Sequence, residues 1–186
     1  MKSLLEEIQK EVRLSPACIS DIEQSFTPKT ISKGTRLLEE GQRCSTMYFL
    51  VSGTARSYYY HEDKEVTSWL YKEHLFFTSW HSFIDQVPSF EYLEVLEDAE
   101  VYMISFSILE HLFEQHTEFG HFGRKLFAQQ VSFLDYYSKA HLFLSAKERY
   151  QNLLFYFPDV ELRVKLGHIA SLLGITQETL SRIRSQ

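Results

Sequence analysis

The spacing of apolar residues changes twice along the chain and predicts successive kinds of structure. Between 1 and 26 they recur at helical spacing, and Ser15-Pro16 is typical of the start of a second helix. Between 29 and 105, short runs rich in Val, Ile, Tyr and Phe alternate with glycine, proline and charged turn residues. We expect strands at Met47–Val51, Ala55–Tyr60, Val66–Tyr71, Phe90–Leu96 and Val101–Phe106. Many short strands without a long helix between them are typical of an antiparallel barrel or sandwich.

Helical spacing returns over 107–144, a stretch without proline. Ser107 is the expected N-cap, and Gly120 and Gly123 are the positions where a break is expected. Apolar residues recur here at heptad spacing: Phe119, Phe122, Leu126, Phe133, Tyr136 and Ala140. This stripe predicts a helix that pairs with a second copy of the chain. The alternative is that the stripe packs against the chain's own strands.

The segment Val164–Arg184 has the features of a DNA-reading helix-turn-helix. It follows a helix that should start at a capping box, Ser145 with Glu148, and stop before Pro158. Its first helix has an apolar face at i, i+3, i+4 and i+7, formed by Leu166, Ile169, Ala170 and Leu173. The turn then has Gly174 for a left-handed backbone, Ile175 for the apolar angle and Thr176 to cap the next helix.

The second helix of this segment carries side chains with base-reading chemistry. Gln177, Glu178 and Arg182 share its outward face and match the donors and acceptors of adenine, cytosine and guanine. Hydroxyl and basic residues suited to phosphate oxygens lie nearby, namely Lys165, Thr176, Thr179, Ser181 and Arg184. The alternative is an ordinary helical hairpin in which Glu178 and Arg182 form an i, i+4 salt bridge.

The net charge of −6 argues against a general nucleic-acid coat, because neutralising phosphates requires clustered Lys and Arg. The C-terminal segment from Glu161 nevertheless has a net charge of about +2, which leaves about −8 on the rest. We therefore expect DNA contact to be confined to this segment. No apolar run has membrane-spanning length and no signal peptide is evident, so we expect a soluble, cytoplasmic protein with no membrane partner.

Motifs for catalysis or metal binding are not evident in the sequence. Cys18 and Cys44 are far apart, which disfavours a disulfide framework or an iron–sulfur cluster. His111, His116 and His121 recur every five residues and so point around a helix rather than along one face. No Ser-His-Asp or Cys-His signature is present. We expect no enzyme, no catalytic residues and no metal or haem.

Several motifs together resemble the Crp/Fnr family of bacterial transcription regulators over nearly the whole chain. They are Lys33-Gly34, Leu37, Glu40-Gly41, the run Tyr48–Gly53 and the run Ile169–Arg184. The short C-terminus is similar to that of members from the Bacteroidetes group.

The resemblance implies an α+β fold with three parts. Residues 1–106 would form a sensor: N-terminal helices and an antiparallel β-roll of the double-stranded β-helix, jelly-roll type. Residues 107–144 would form the dimerisation helix and 145–186 the helix-turn-helix DNA-binding domain. The implied protein is a homodimer that binds double-stranded DNA, with RNA polymerase and a small-molecule effector as further candidate partners. The rival interpretation is a ligand-binding or protein-interaction module that no longer binds DNA.

The effector implied by the resemblance is unknown and not expected to be a cyclic nucleotide. Family members that bind cyclic AMP carry a Gly-Glu pair and an Arg-Ser pair, whereas this chain has Thr78-Ser79 and an arginine-free run, Pro88–Glu91. The candidate pocket residues are Arg56, Phe77, Thr78, Ser79, Trp80, Ser82, Phe83, Ser89 and Phe90. The alternatives are that the aromatic residues fill the core and that Arg56 is a surface strand residue.

Overall fold

Two short helices precede the first strand in the computed structural model, which describes residues 1–185. They are α1 (Lys2–Glu11) and α2 (Pro16–Ser25). Ser15 caps α2 as expected, because its Oγ accepts a hydrogen bond from the Cys18 amide at 3.2 Å and proline occupies the first turn. Leu4 and Ile8 of α1 and Cys18 and Ile22 of α2 are fully buried against the strands that follow.

Within residues 1–185, eight strands form two four-stranded sheets in which every paired strand is antiparallel. The first sheet has the order β1-β8-β3-β6 and the second β2-β7-β4-β5. The bounds are β1 (Thr27–Ile31), β2 (Arg36–Leu38), β3 (Thr46–Ser52), β4 (Ala55–His61), β5 (Lys64–Tyr71), β6 (Phe76–Phe77), β7 (Tyr92–Val95) and β8 (Ala99–Ser105), with α3 (Trp80–Asp85) between β6 and β7. Inward side chains of both sheets belong to one apolar core.

The five strands expected from the sequence are present with small shifts, and β1, β2, β6 and α3 are additional. These additional elements are short or weakly apolar. β1, for example, contains Pro28 and exposes four of its five residues, so it has no alternating pattern. It forms because β8 offers it a backbone partner.

The long helical stretch is divided at His116, into α4 (Phe106–Gln115) and α5 (Thr117–Phe143). The expected break at Gly120 and Gly123 is wrong. Gly123 instead lets the two helices pack closely, since a Cβ there would lie 2.6 Å from the Phe113 ring. The N-cap of α4 is Ser105 rather than the expected Ser107.

Four helices complete the described chain: α6 (Ala146–Tyr156), α7 (Val160–Arg163), α8 (Leu166–Leu172) and α9 (Gln177–Arg184). Ser145 and Glu148 form the expected capping box, and α6 ends before Pro158. The helix α7 was not expected. Apolar residues of α6 to α9 form a second core, which also includes Leu70 from β5.

The C-terminal helices are docked on the outer face of the second sheet. The Thr67 amide of β5 donates to the Ser171 Oγ of α8 at 2.9 Å. Arg163 at the end of α7 donates to Glu73 at 2.9 and 2.5 Å and to Glu97 at 2.8 and 2.5 Å. These bonds tie α7 to loops of the strand region. None of the helices within residues 1–185 is long and apolar enough to cross a membrane.

Candidate nucleic-acid interface and ligand cleft

A tight turn joins α8 to α9 and fixes their crossing. Gly174 adopts the expected left-handed backbone with a φ of 65°, and the Ile175 amide donates to the Ala170 carbonyl at 3.0 Å. Thr176 caps α9, because its Oγ1 accepts a hydrogen bond from the Thr179 amide at 3.2 Å. Each local feature expected for the turn is therefore present.

One face of α9 is packed and the other is open to solvent. Leu180 is fully buried beneath the helix and Ile183 is half-buried beside it. Gln177, Glu178 and Arg182 are all exposed, and helical spacing puts Glu178 and Arg182 on the side opposite Leu180. The three residues expected to read bases are therefore all accessible to solvent.

The charged residues of this face are not paired with each other. Within residues 1–185, Arg182 forms no ion pair with Glu178 and instead donates from Nη2 to the Thr179 Oγ1 at 3.1 Å. Backbone amides at the start of α9 and the Thr176 hydroxyl hold the pKa of Glu178 below its usual value. Glu178 is therefore an ionised acceptor at neutral pH.

The residues expected to contact phosphate are less uniform. Lys165, Thr176 and Ser181 are exposed. Thr179 is half-buried and is bonded to Thr176 and Arg182. Arg184 lies 2.5 Å from a carboxylate oxygen of Glu161, so part of its hydrogen-bonding capacity is already used. With Arg163 also turned toward acidic loops, the basic charge of this segment is concentrated on Lys165 and Arg182.

A cleft of about 410 Å³ lies between the strands and α5. Its walls are mostly aromatic and aliphatic side chains from both sides: Trp69, Tyr71, Trp80, Ile84, Phe90, Phe127, Val131, Phe133, Leu134 and Tyr137. This lining is typical of a small-molecule site, where apolar walls bury the ligand and a few polar groups orient it.

The polar end of the cleft is built around Glu91. The Ser68 hydroxyl lies within hydrogen-bonding distance of the Glu91 carboxylate, at 3.3 Å, and of the Ser57 hydroxyl, at 2.9 Å, and its single proton can be donated to either. Burial raises the pKa of the Glu91 carboxyl, although hydrogen bonds from Ser79 and Ser68 oppose that shift. The cleft therefore offers a carboxyl group, hydroxyls and the His81 imidazole, and none of its lining residues within 1–185 is a lysine or arginine.

Of the pocket residues expected from the sequence, only Trp80 and Phe90 line this cleft. Phe77 and Phe83 belong to the core, which was the stated alternative. Thr78 and Ser82 hold local structure through hydrogen bonds to the Thr46 and Val87 carbonyls.

Two more of the expected pocket residues, Ser79 and Ser89, form hydrogen bonds next to Glu91. Ser79 is bonded to Ser89 at 3.1 Å, and Ser89 in turn accepts a hydrogen bond from the Glu91 amide at 3.1 Å. Sequence reasoning missed Ser57, Ser68 and Glu91 themselves. Their spacing carries no signal, since two strands of the second sheet, β4 and β5, and the loop before β7 bring them together.

Arg56 is a buried strand residue, so the alternative that it lies on the surface is wrong. Its side chain is only 3% exposed and donates to Glu94 at 2.6 and 2.9 Å and to Glu65 at 2.6 Å. It lies in β4 opposite Leu70, on the sheet face that α8 covers, not in the cleft. Its anion is thus supplied by the chain itself.

The heptad stripe on α5 is divided between two environments. Phe119, Phe122 and Leu126 are buried in the chain's own core, so they are not available to a partner helix. Phe133 packs edge-on against Trp69, Ala140 is half-buried, and Tyr136 is exposed. The large apolar residues that α5 exposes also include Phe143, which is in heptad phase, and Val131, Leu134 and Leu142, which the heptad prediction did not include.

The residues 28–116 match the family model of the cyclic nucleotide-binding domain. No curated protein sequence matches the chain significantly. Among solved structures, FixK2 from Bradyrhizobium japonicum is similar with a TM-score of 0.71 and 23% identity, covering 87% of this chain and 83% of that one.

Two further solved structures show the same fold. A transcriptional regulator of the crp/fnr family from Eubacterium rectale has a TM-score of 0.70 and 19% identity, covering 91% of this chain and 82% of that one. The catabolite activator protein of Thermus thermophilus has a TM-score of 0.58 and 20% identity, covering 92% and 83%. Residues 28–116 are therefore similar to a cyclic nucleotide-binding domain, and the chain shares a mixed α+β fold with these solved structures.

Proposed function

We propose that the protein is a sequence-specific DNA-binding transcription regulator of the Crp/Fnr type, and not an enzyme, in which α9 enters the major groove. The observation that carries this proposal is the exposed face of α9, with Gln177, Glu178 and Arg182 held together behind a tight, capped turn. The helix has eight residues, and the diameter of an α-helix, about 10 to 12 Å, fits a major groove about 12 Å wide. The similarity of its fold to such regulators supports the same assignment.

One such helix contacts only a few base pairs, so we propose that two copies of the protein bind together to a two-fold-symmetric DNA site. The exposed apolar residues of α5, Val131, Leu134 and Leu142, form a face that a second α5 would cover. A Leu134→Glu variant should sediment as a monomer, whereas Lys139→Glu on the exposed side of the same helix should not. A Leu134→Glu protein that remains dimeric would contradict this pairing.

The cleft between the strands and α5 is the proposed effector site. None of its lining residues, within the part of the chain described, is a lysine or arginine, and Glu91 stands at its polar end. A cyclic phosphate is an anion, and placing it beside a carboxyl group would be unfavourable where none of the described lining residues is a lysine or arginine. We propose an effector that is a neutral or cationic aromatic molecule carrying a hydrogen-bond donor. RNA polymerase is a further proposed partner of the DNA-bound dimer.

The effector cleft is connected to the DNA-binding helices by Tyr137. The Tyr137 ring lines the cleft, and its hydroxyl donates to the Leu172 carbonyl at the end of α8 at 3.1 Å. A ligand that displaces α5 would therefore move the contact on which α8 rests. This connection gives the proposed regulator a route from ligand to DNA.

DNA binding is tested by footprinting on genomic fragments, followed by gel-shift titration of the protected site at several salt concentrations. We expect a protected inverted repeat and a steep loss of affinity with added salt, because phosphate contacts release counterions. Arg182→Ala should weaken specific binding by roughly 10- to 100-fold, the contribution of a bidentate guanine contact. Arg124→Ala, which removes an exposed arginine from α5, is the matched control and should bind normally.

Salt-independent binding, or no protected repeat together with unchanged affinity of Arg182→Ala, would contradict the proposal. Either result would favour the rival function, a ligand-binding or protein-interaction module without DNA.

A further inference from the structure

A sulfur, an imidazole and a carboxylate meet where α2 contacts the junction of α4 and α5. The potential ligand atoms of Cys18, His116 and Glu118 all lie within 4.8 Å of one another. Cys18 is buried, and His116 and Glu118 are half-buried. The three are distant or irregularly spaced in the sequence, which explains why no metal site was expected from the chain alone.

The His116 ring is held by a neighbouring carboxylate. His116 is the residue at which the long helical stretch divides, and its Nε2 lies 2.8 Å from an Asp21 carboxylate oxygen. A carboxylate that accepts a hydrogen bond from one ring nitrogen fixes the orientation of the imidazole and leaves the lone pair of the other nitrogen for a metal ion. Metal-binding histidines are commonly oriented in this way.

The Glu118 carboxylate is held just as firmly. Its Oε1 accepts hydrogen bonds from the Ser15 hydroxyl at 2.7 Å and the Ser15 amide at 3.3 Å. The Ser15 hydroxyl also accepts from the Cys18 amide, so the residue that orients the carboxylate also positions the cysteine. Both potential oxygen and nitrogen ligands therefore have the supporting hydrogen bonds that a metal site requires.

We propose that Cys18, His116 and Glu118 bind one divalent transition-metal ion of the zinc class. The donor set of thiolate, imidazole and carboxylate suits zinc, cobalt or iron(II), whereas magnesium and calcium prefer all-oxygen sites. With metal–ligand bonds of about 2.0 to 2.3 Å, tetrahedral ligands stand about 3.5 Å apart, so the ligand atoms need to approach one another by at most about 1 Å. The fourth position is left for water.

Binding requires a proton to leave the cysteine. The thiol S–H bond breaks, the sulfur lone pair forms the bond to the metal, and the proton passes to solvent. No electron is transferred. The ion would join α2 to the point where α5 begins, so it would stabilise that corner of the folded chain.

The site is tested by titrating Co²⁺ into the untagged full-length protein. We expect binding of one ion with a thiolate-to-cobalt charge-transfer band in the near ultraviolet, and displacement of that band by Zn²⁺. Cys18→Ser should abolish the band, and Cys44→Ser, which removes the only other cysteine, should retain it.

Because Cys18 is buried, Asp21→Asn serves as a second variant at a half-buried position. It should keep the band but weaken cobalt affinity by about 10- to 100-fold, as loss of an orienting partner does at other metal sites. A wild-type protein with no charge-transfer band would overturn the proposal. A band that persists in Cys18→Ser, or cobalt affinity unchanged in Asp21→Asn, would do the same.

Discussion

Replacing Arg163 with alanine should undock the C-terminal helices from the strands at a cost that the geometry allows to be estimated. The guanidinium is 17% exposed and is shared between Glu73, 30% exposed, and Glu97, 33% exposed. Exposed ion pairs stabilise proteins by about 0 to 1 kcal/mol, while removing one partner of a buried pair costs about 3 to 5 kcal/mol. At this intermediate burial we expect Arg163→Ala to lower the free energy of unfolding by about 2 kcal/mol.

The loss should depend on pH in a defined direction. Burial opposes ionisation of Glu73, but hydrogen bonds from Arg163 and from backbone amides lower its pKa in the folded protein. A carboxyl with a lowered folded pKa contributes stability above its unfolded pKa, about 4.3, and this contribution disappears as the pH falls through the folded value. The difference between wild type and Arg163→Ala should therefore be full at pH 7 and shrink in acid.

Urea unfolding followed by circular dichroism at pH 7 and in acid measures this difference. Arg184→Ala is the matched control, because Arg184 pairs with Glu161 at a more exposed position and should cost about 1 kcal/mol or less. If Arg163→Ala loses no more than this control, or if its deficit is the same in acid, the reasoning about the paired carboxylates is wrong.

Three further substitutions probe local features. Gly53→Ala should lower the free energy of unfolding by about 3 kcal/mol, because φ is +101° and the new Cβ would lie 2.6 Å from the Ala99 Cβ. The control Gly41→Ala, at φ +82° with no atom within 4 Å of the new Cβ, should lower it by about 1 kcal/mol. Equal losses of stability in thermal unfolding would refute the steric argument. Thr176→Ala should lower the free energy of unfolding by about 1 kcal/mol, and Thr176→Ser should retain most of the wild-type value, as measured from the midpoint of urea unfolding. Equal midpoints for wild type, Thr176→Ala and Thr176→Ser would mean that the cap does not contribute to stability. Burial lowers the pKa of His168 in the folded protein, so the unfolded chain binds the proton at a higher pH and the free energy of unfolding should fall as the pH drops below about 6.5. Calorimetry from pH 8 to 5.5 should show a shallower fall for His168→Gln than for wild type. Parallel curves for the two proteins would contradict this.

Features that depend on neighbours along the chain were predictable from the sequence. The caps at Ser15, Ser145 and Thr176 and the left-handed turn at Gly174 are present because each is set by a few consecutive residues. The exposed face of α9 follows from the same periodicity. The C-terminal part of the candidate site could therefore be located by residue number.

Features that depend on distant parts of the chain were not predictable. The heptad stripe on α5 identifies an apolar face, but periodicity does not say what covers it, and the chain's own core covers Phe119, Phe122 and Leu126. Arg56 has no local pattern to mark it as buried, since its carboxylate partners come from two other strands. The cleft around Glu91 was missed for the same reason.

The contact between Tyr137 and α8 implies thermodynamic coupling between ligand binding in the cleft and DNA binding by the proposed regulator. The side chain of Tyr137 lines the cleft and its hydroxyl is bonded to the carbonyl at the end of α8, so in the proposed regulator the occupancy of the cleft and the position of α8 would share one equilibrium. Thermodynamic linkage requires the coupling to be reciprocal. If a cleft ligand raises operator affinity tenfold, the operator must raise affinity for that ligand tenfold. The operator can then serve as a reagent for finding the effector, because a compound library screened with DNA present would retain molecules that the free protein binds too weakly to detect.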